Sequence, residues 1–177
     1  MIAIVDNGKG ADNIARMIRG AKVIVKPDKI DNKASAYILS DGDMKHQKSN
    51  DKLIKSTEKP LMGIGMGSVF LAAAYGAKIG KSKAEKQARV KIEHACALTL
   101  DMKKMFVAFK SCDSALEDLP ENFNIFASSK YPFEIIGEIE KPFFGVHFNP
   151  EMGADGLKII DNFVKFVEIW EKYHKGE

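Results

Sequence analysis

What this sequence has little of narrows the reading first. It holds two cysteines, Cys96 and Cys112, at no metal-ligand or redox spacing. A disulfide scaffold, a zinc module and a thiol–disulfide enzyme are therefore set aside, and both thiols are expected to be reduced. No metal and no cofactor is expected. No apolar run approaches the roughly 20 residues of a membrane span, so no membrane association is expected. The opening Met1-Ile2-Ala3-Ile4-Val5-Asp6 reads as a strand. It lacks the basic region and small-residue cleavage site of a signal peptide, which makes a cytoplasmic location the expectation. No glycine-rich phosphate loop marks an ATP site of the chain's own. With no internal repeat, low-complexity segment or domain-sized linker, residues 1–177 are read as one domain.

The net charge is mild, +3, but unevenly spread. Lys78, Lys81, Lys83, Lys86, Arg89 and Lys91 crowd a stretch whose only local acid is Glu85. Such a run is either a solvated hairpin or loop, or an anion-binding patch. Nucleic acid is not the expected partner.

The first half alternates strand and helix signals. Ile2–Val5, Lys22–Val25, Ala36–Ser40 and Pro60–Ile64 are apolar strand candidates, while 12–18 and 66–75 carry helical spacing. Strands interleaved with helices argue for a parallel sheet with right-handed crossovers. The second half changes character: 88–92, 105–109, 123–127, 133–137 and 143–148 are short strands separated by turn residues, as in an added antiparallel or mixed sheet. An amphipathic helix over 155–173 ends the chain, with Ile160, Phe163, Val164, Val167 and Trp170 on one face and read as core.

One stretch carries the most chemistry. In Pro60-Leu61-Met62-Gly63-Ile64-Gly65-Met66-Gly67-Ser68 an apolar strand meets glycines at every second position and then runs into an apolar helix. That is the strand–tight turn–helix layout of a nucleophile elbow, in which small flanking residues let one central side chain stand out over the strand ends. Gly63 and Gly67 flank it. The centre is Gly65, which has no side chain. Two further segments should meet it at the carboxyl ends of the strands. Leu39-Ser40-Asp41-Gly42-Asp43 is a glycine-containing turn able to offer backbone N–H groups to a negative charge. Gly145-Val146-His147-Phe148-Asn149-Pro150-Glu151 runs from a strand into a turn.

On these residues the chain resembles the class I glutamine amidotransferases, and among them the glutaminase subunits of archaeal-type GMP synthases. Ile4-Val5-Asp6-Asn7-Gly8, Leu39 to Asp43, Pro60 to Val69, Ser111-Cys112-Asp113-Ser114 with Leu119-Pro120, and Val146 to Glu151 match its motifs in order over nearly the whole length. The resemblance implies a flavodoxin-like α/β fold: a mostly parallel central sheet flanked by helices, with a smaller antiparallel sheet added. It also implies a cysteine at position 65 that attacks the glutamine amide, a histidine at 149 as its base, and Glu151 to orient that base. Here those positions hold Gly65 and Asn149, with Glu151 kept. Glycine forms no thioester, and asparagine accepts no proton near neutral pH.

The implied binding residues differ too. Ser68 and Val69 stand for a histidine and a glutamine, and Asp41 and Asp43 for a glycine and a proline. Two carboxylates beside a developing oxyanion are unfavourable. Gly42 and the Met66 N–H, with Asp41, Ser68 and His147, remain as an oxyanion-like pocket for some ligand. Glu151 has two open roles, a ligand contact or a cap on backbone N–H groups. Cys112 and His147 are the residues from which compensating chemistry would have to come.

The leading expectation is therefore a catalytically defective glutaminase-like protein that acts by binding. Its partner would be an ATP-pyrophosphatase of the kind that forms the second subunit of GMP synthase, another enzyme, or a small ligand. The alternatives are a GMP synthase glutaminase with residual or rescued hydrolysis, and a metal-assisted enzyme using Asp41, Asp43, His147 and Glu151. An anion- or nucleic-acid-binding module built on Lys78 to Lys91 ranks below these.

Overall fold

Residues 1–31 and 33–174 are described by the structure, a computed structural model. In chain order the elements are β1 (Ile2–Val5), β2 (Gly8–Lys9), α1 (Ala11–Met17), β3 (Lys22–Val25), β4 (Ala36–Leu39), β5 (Asp41–Gly42), α2 (Gln47–Ser56), β6 (Leu61–Ile64) and α3 (Met66–Ala73). There follow β7 (Ile79–Lys81), β8 (Glu85–Ile92), β9 (Met105–Lys110), β10 (Ser114–Leu116), β11 (Phe123–Ser128), β12 (Ile135–Glu138), β13 (Phe143–Val146) and α4 (Leu157–His174).

One nine-stranded sheet runs in the order β3-β1-β4-β6-β13-β12-β11-β8-β9. It is parallel from β3 to β13 and antiparallel from there to β9. The mixed α/β expectation stands, and the antiparallel strands extend the central sheet. Two separate ribbons, β2–β5 and β7–β10, supply the small antiparallel sheets.

Every residue of β1, β4 and β6 is buried, as strands with a layer on each face must be. On one face Ile2, Ile4, Ile38, Met62 and Ile64 pack with α1 and α4 through Ile14, Ile160 and Phe163. On the other Val5, Tyr37, Leu39 and Leu61 pack against α2 and α3 through Leu53, Ile54, Val69 and Phe70. Each fully buried aliphatic or aromatic side chain contributes roughly 1.5–3 kcal/mol. α2 is not announced by the sequence, because its apolar face is only Leu53 and Ile54 on an otherwise polar stretch. The core assignment of Trp170 is corrected. That ring is half-buried near the helix end and stacks on His174, with centroids 4.2 Å apart.

The strand order sets the position of the site. β1 lies between β3 and β4, so the chain leaves it first to one side and then returns on the other. Such a reversal opens a crevice at the carboxyl ends of the strands. The segments after β1, β4, β6 and β13 all converge there.

Candidate functional site

Gly65 joins β6 to α3 at φ 54° and ψ −114°, a combination that ordinary residues adopt only under strain. The elbow is present as a backbone shape. Its tightness comes from the flanking glycines: a Cβ on Gly63 would lie 2.3 Å from the Gly67 carbonyl oxygen, and one on Gly67 2.3 Å from that of Leu39. The Gly65 N–H donates to the Val146 carbonyl at 2.8 Å, which ties the turn to β13.

The space above Gly65 is filled. Asp41 is fully buried, and its carboxylate lies over the elbow, so that a Cβ built on Gly65 would sit 2.6 Å from the Asp41 Cγ. Asp41 Oδ1 accepts the N–H groups of Met66 and Gly42, both at 2.9 Å. Asp41 Oδ2 accepts the Ser111 hydroxyl at 2.7 Å and the Asn149 amide at 3.3 Å. Two backbone donors at about 2.7–3.1 Å from one oxygen is the geometry of an oxyanion hole, and here the oxygen belongs to the protein itself. Hydrogen bonds to a charged acceptor contribute about 1.5–3 kcal/mol each, so this arrangement is held firmly. Of the two carboxylates expected to disfavour an oxyanion, Asp41 turns inward as the occupant. Asp43 turns outward, accepts the Lys45 N–H at 2.9 Å and pairs with the Lys45 ammonium at 3.3 Å.

Asn149 ties the site together. Its Oδ1 accepts the Ser111 N–H at 2.8 Å, and its amide nitrogen reaches Glu151 Oε1 at 3.1 Å as well as Asp41. Glu151 Oε2 is buried and has no partner among the described residues. Burial pushes the Glu151 carboxyl up to about 7 against the lowering effect of the Asn149 amide, so a large share of it is protonated near neutral pH. Beneath the Asp41 turn, Asn7 and Asn50 exchange side-chain hydrogen bonds of 3.3 and 2.7 Å, and Asn7 also donates to the Ser40 carbonyl at 3.0 Å.

The remaining named residues lie apart from this centre. Ser68 is buried, and its hydroxyl faces β13, where a Cβ on Gly145 would meet it at 2.5 Å. β13 ends at Val146, so His147 does not continue a regular strand toward Asn149. Its Nε2 lies 2.7 Å from the Ser114 carbonyl and therefore carries the ring proton, while Nδ1 has no partner among the described residues. Burial, with the Lys110 ammonium adding to it, holds His147 down to about 4. Cys112 donates its thiol to the same Ser114 carbonyl at 3.2 Å, and burial, reinforced by the Asp41 charge, pushes it up to about 12. Both side chains thus serve one backbone oxygen, and neither is a base or nucleophile aimed at the elbow. Among the described residues no three His, Cys, Asp or Glu side chains converge to hold a metal ion, and no helix is long and apolar enough to cross a membrane.

Above the sealed centre lies an open cleft of about 790 Å³ whose lining includes Lys9, Gly42, Met44, Met66, Lys81 and Asp113. The ribbons β2–β5 and β7–β10 wall it. The basic run is therefore divided: Lys81 faces this mouth, whereas Arg89 and Lys91 lie on β8. Sequence reasoning placed Asp41 at the site but missed that it is the occupant, and missed Ser111 as its partner. The pairing of a carboxylate at 41 with a missing side chain at 65 is the signal that was available.

The model of the family described as glutamine amidotransferase class-I matches residues 3–166. The chain belongs to the class I glutamine amidotransferase family. The A subunits of the glutamine-hydrolysing GMP synthases of Methanococcus aeolicus and Methanocaldococcus jannaschii are each 30% identical to it over 183 residues, covering 93% of this chain and 96% of the relative. The fold is also that of a putative GMP synthase A-subunit protein from Thermoplasma acidophilum, with a TM-score of 0.90 at 23% identity over 98% of this chain and 96% of that one. A glutamine amidotransferase from Thermotoga maritima superposes less closely, at a TM-score of 0.73 and 16% identity over 99% of this chain and 85% of that one.

Proposed function

We propose that this chain is a non-catalytic member of its family, a pseudo-glutaminase that acts by binding a partner rather than by hydrolysing glutamine. The observation that carries the reading is the Asp41 carboxylate seated on the Met66 and Gly42 N–H groups, over a Gly65 that has no nucleophile. An amide substrate needs those donors free for its developing oxyanion, a nucleophile beneath and a base beside it. Here the donors are taken, the nucleophile position is bare, and Asn149 spends its amide on Asp41 and Glu151. Single losses within a triad already remove most of its catalysis.

The partner class follows from the relatives, which are named as the A subunits of glutamine-hydrolysing GMP synthases. An ATP-pyrophosphatase like the other subunit of such a synthase is the partner proposed, with this chain in a regulatory or scaffolding role in purine biosynthesis in the cytoplasm. The relatives' name also favours a second reading, a working glutaminase whose hydrolysis is rescued by other residues. The two separate cleanly. Purified chain incubated with glutamine, alone and with the ATP-pyrophosphatase of its own organism, is expected to release ammonia at the buffer rate while co-eluting with that enzyme on gel filtration. Ammonia release above the blank that vanishes on mutation of a site residue overturns the non-catalytic reading.

A further inference from the structure

The two halves of the central sheet are covered differently. On β8, Ala88 and Val90 turn inward toward α4 with Phe106 and Ala108 of β9. The opposite face of this strand pair has no layer over it among the described residues. In register on that face lie Arg89 beside Val107 and Lys91 beside Met105, with Gln87 in the same row. Val107 is 37% and Met105 52% exposed, so aliphatic side chains alternate with cations on an open sheet surface. Lys91 pairs with Glu93 at 2.9 Å, but no ion pair among the described residues involves Lys86, Arg89 or Lys130. A shallow groove of about 200 Å³ brings Lys130 beside Gln87 and Arg89, with Glu85 as its one acid.

We infer that this β8–β9 face is a docking surface for a protein partner presenting carboxylates around an apolar centre; the inference rests on the reading that the chain acts by binding. Charge selects that occupant. Arg89 beside Val107 and Lys130 in the adjoining groove, neither in an ion pair among the described residues, with Lys91 beside Met105, complement an acidic rim around an apolar core, the usual layout of a protein interface. A second copy of this chain would set cations against cations. Single-stranded nucleic acid binds sheet faces by stacking bases on exposed rings, and the only ring in these rows, Phe109, is half-buried. Addition of a strand to the edge of β9 is blocked, because the Val107 N–H donates to Asp155 at 3.3 Å and the Phe109 carbonyl accepts the Asn149 N–H at 2.7 Å. The partner therefore meets the face and not the edge.

The face is also joined to the sealed site. β9 runs from Met105 and Val107 directly to Lys110 and then Ser111, whose hydroxyl and N–H hold Asp41 and Asn149. Lys110 anchors the junction through a buried 2.6 Å pair with Glu134. A partner seated on β9 thus lies on the strand that delivers Ser111 to the Asp41 cluster.

The test is an amide NMR titration of the intact chain with a designed helical peptide bearing one face of glutamates around leucines. A uridine oligonucleotide of equal net charge is the second arm. The expected result is shift changes on residues 86–91 and 104–108 that extend to Ser111. Affinity should fall about tenfold in Arg89→Glu/Lys91→Glu and about fivefold in Met105→Ser/Val107→Ser, with folding of both verified by circular dichroism. Absence of binding, shifts mapping elsewhere, unchanged affinity in the variants, tighter binding of the oligonucleotide, or a dimer dispersed by Arg89→Glu each overturns the assignment. Glutamine hydrolysis measured on the same preparation reports on the non-catalytic reading alone. An inert protein that ignores the peptide removes only the docking face.

Discussion

The parallel and antiparallel halves of one sheet handle their surfaces in opposite ways. In β1, β4 and β6 every side chain is buried, and the turns at their carboxyl ends are locked by close backbone approach. The groups placed there by the fold satisfy one another: Asp41, Ser111, Asn149 and the N–H groups of Gly42 and Met66 form a closed set. In β8 and β9 only one face is covered, and on the other Arg89 is in no ion pair among the described residues while Lys91 is held only by Glu93. A scaffold can therefore hold the frame of an active site while its chemistry is consumed internally, and leave its interacting capacity on a different part of the same sheet.

The sharpest way to break this contrast is to remove the occupant. Asp41→Ala leaves the buried Met66 N–H, the part-buried Gly42 N–H, a hydroxyl and an amide without their acceptor, and is expected to cost about 4 kcal/mol in urea denaturation, with Asp41→Asn costing roughly half. A loss below about 1 kcal/mol would show that the cluster is not closed.

Next comes pH. Glu151, raised to about 7, contributes stability that is fully present below its ordinary carboxyl value and is lost as pH rises through 7. His147, lowered to about 4, contributes stability that is present above its ordinary value and is lost as pH falls through 4. Between about pH 4.5 and 6.5 the two slopes oppose each other, so the native protein is expected to be nearly flat there. Glu151→Gln should unmask a rise in stability with pH on the order of 3 kcal/mol across the window, and His147→Gln a fall of similar size. Parallel curves for all three proteins would contradict the assignment.

A smaller effect tests the contact between residues 41 and 65. Gly65→Ala is expected to cost about 2 kcal/mol, and about 1 kcal/mol less when Asp41 is already Gly, since the strain of a positive φ remains but the clash is gone. Strict additivity in that double-mutant cycle would place the carboxylate elsewhere. The smallest effect belongs to the open face: Arg89→Ser and Lys91→Ser should change stability by less than about 0.5 kcal/mol in the same denaturation assay.

Much of the frame was legible in the residues. The run from Leu61 to Gly67 declared strand, turn and helix through its own spacing, and the apolar blocks at Ile2, Lys22 and Ala36 declared their strands. α2 was not legible, because two buried aliphatic residues in ten make no visible period. The continuity of the antiparallel strands with the parallel sheet was not legible either, since pairing partners such as Ile135 and Val146 are set by tertiary order and not by local pattern. At the site, identities at 65 and 149 showed what was missing. What had taken its place required the rotamer of Asp41, which brings residues 41, 65, 66, 111 and 149 to one point.

The most direct test of the seal compares two reconstructions by ammonia release from glutamine. Gly65→Cys with Asn149→His restores the nucleophile and the base with Asp41 retained, its carboxylate pushed aside by the new Cβ but still beside the hole; Asp41→Gly added to that pair removes it. With both variants verified as folded, the account predicts that the double variant stays at the buffer rate and that only the triple variant hydrolyses glutamine. Equal hydrolysis by the double and triple variants would contradict it, because the Asp41 carboxylate would then be no obstacle to use of the Met66 and Gly42 donors.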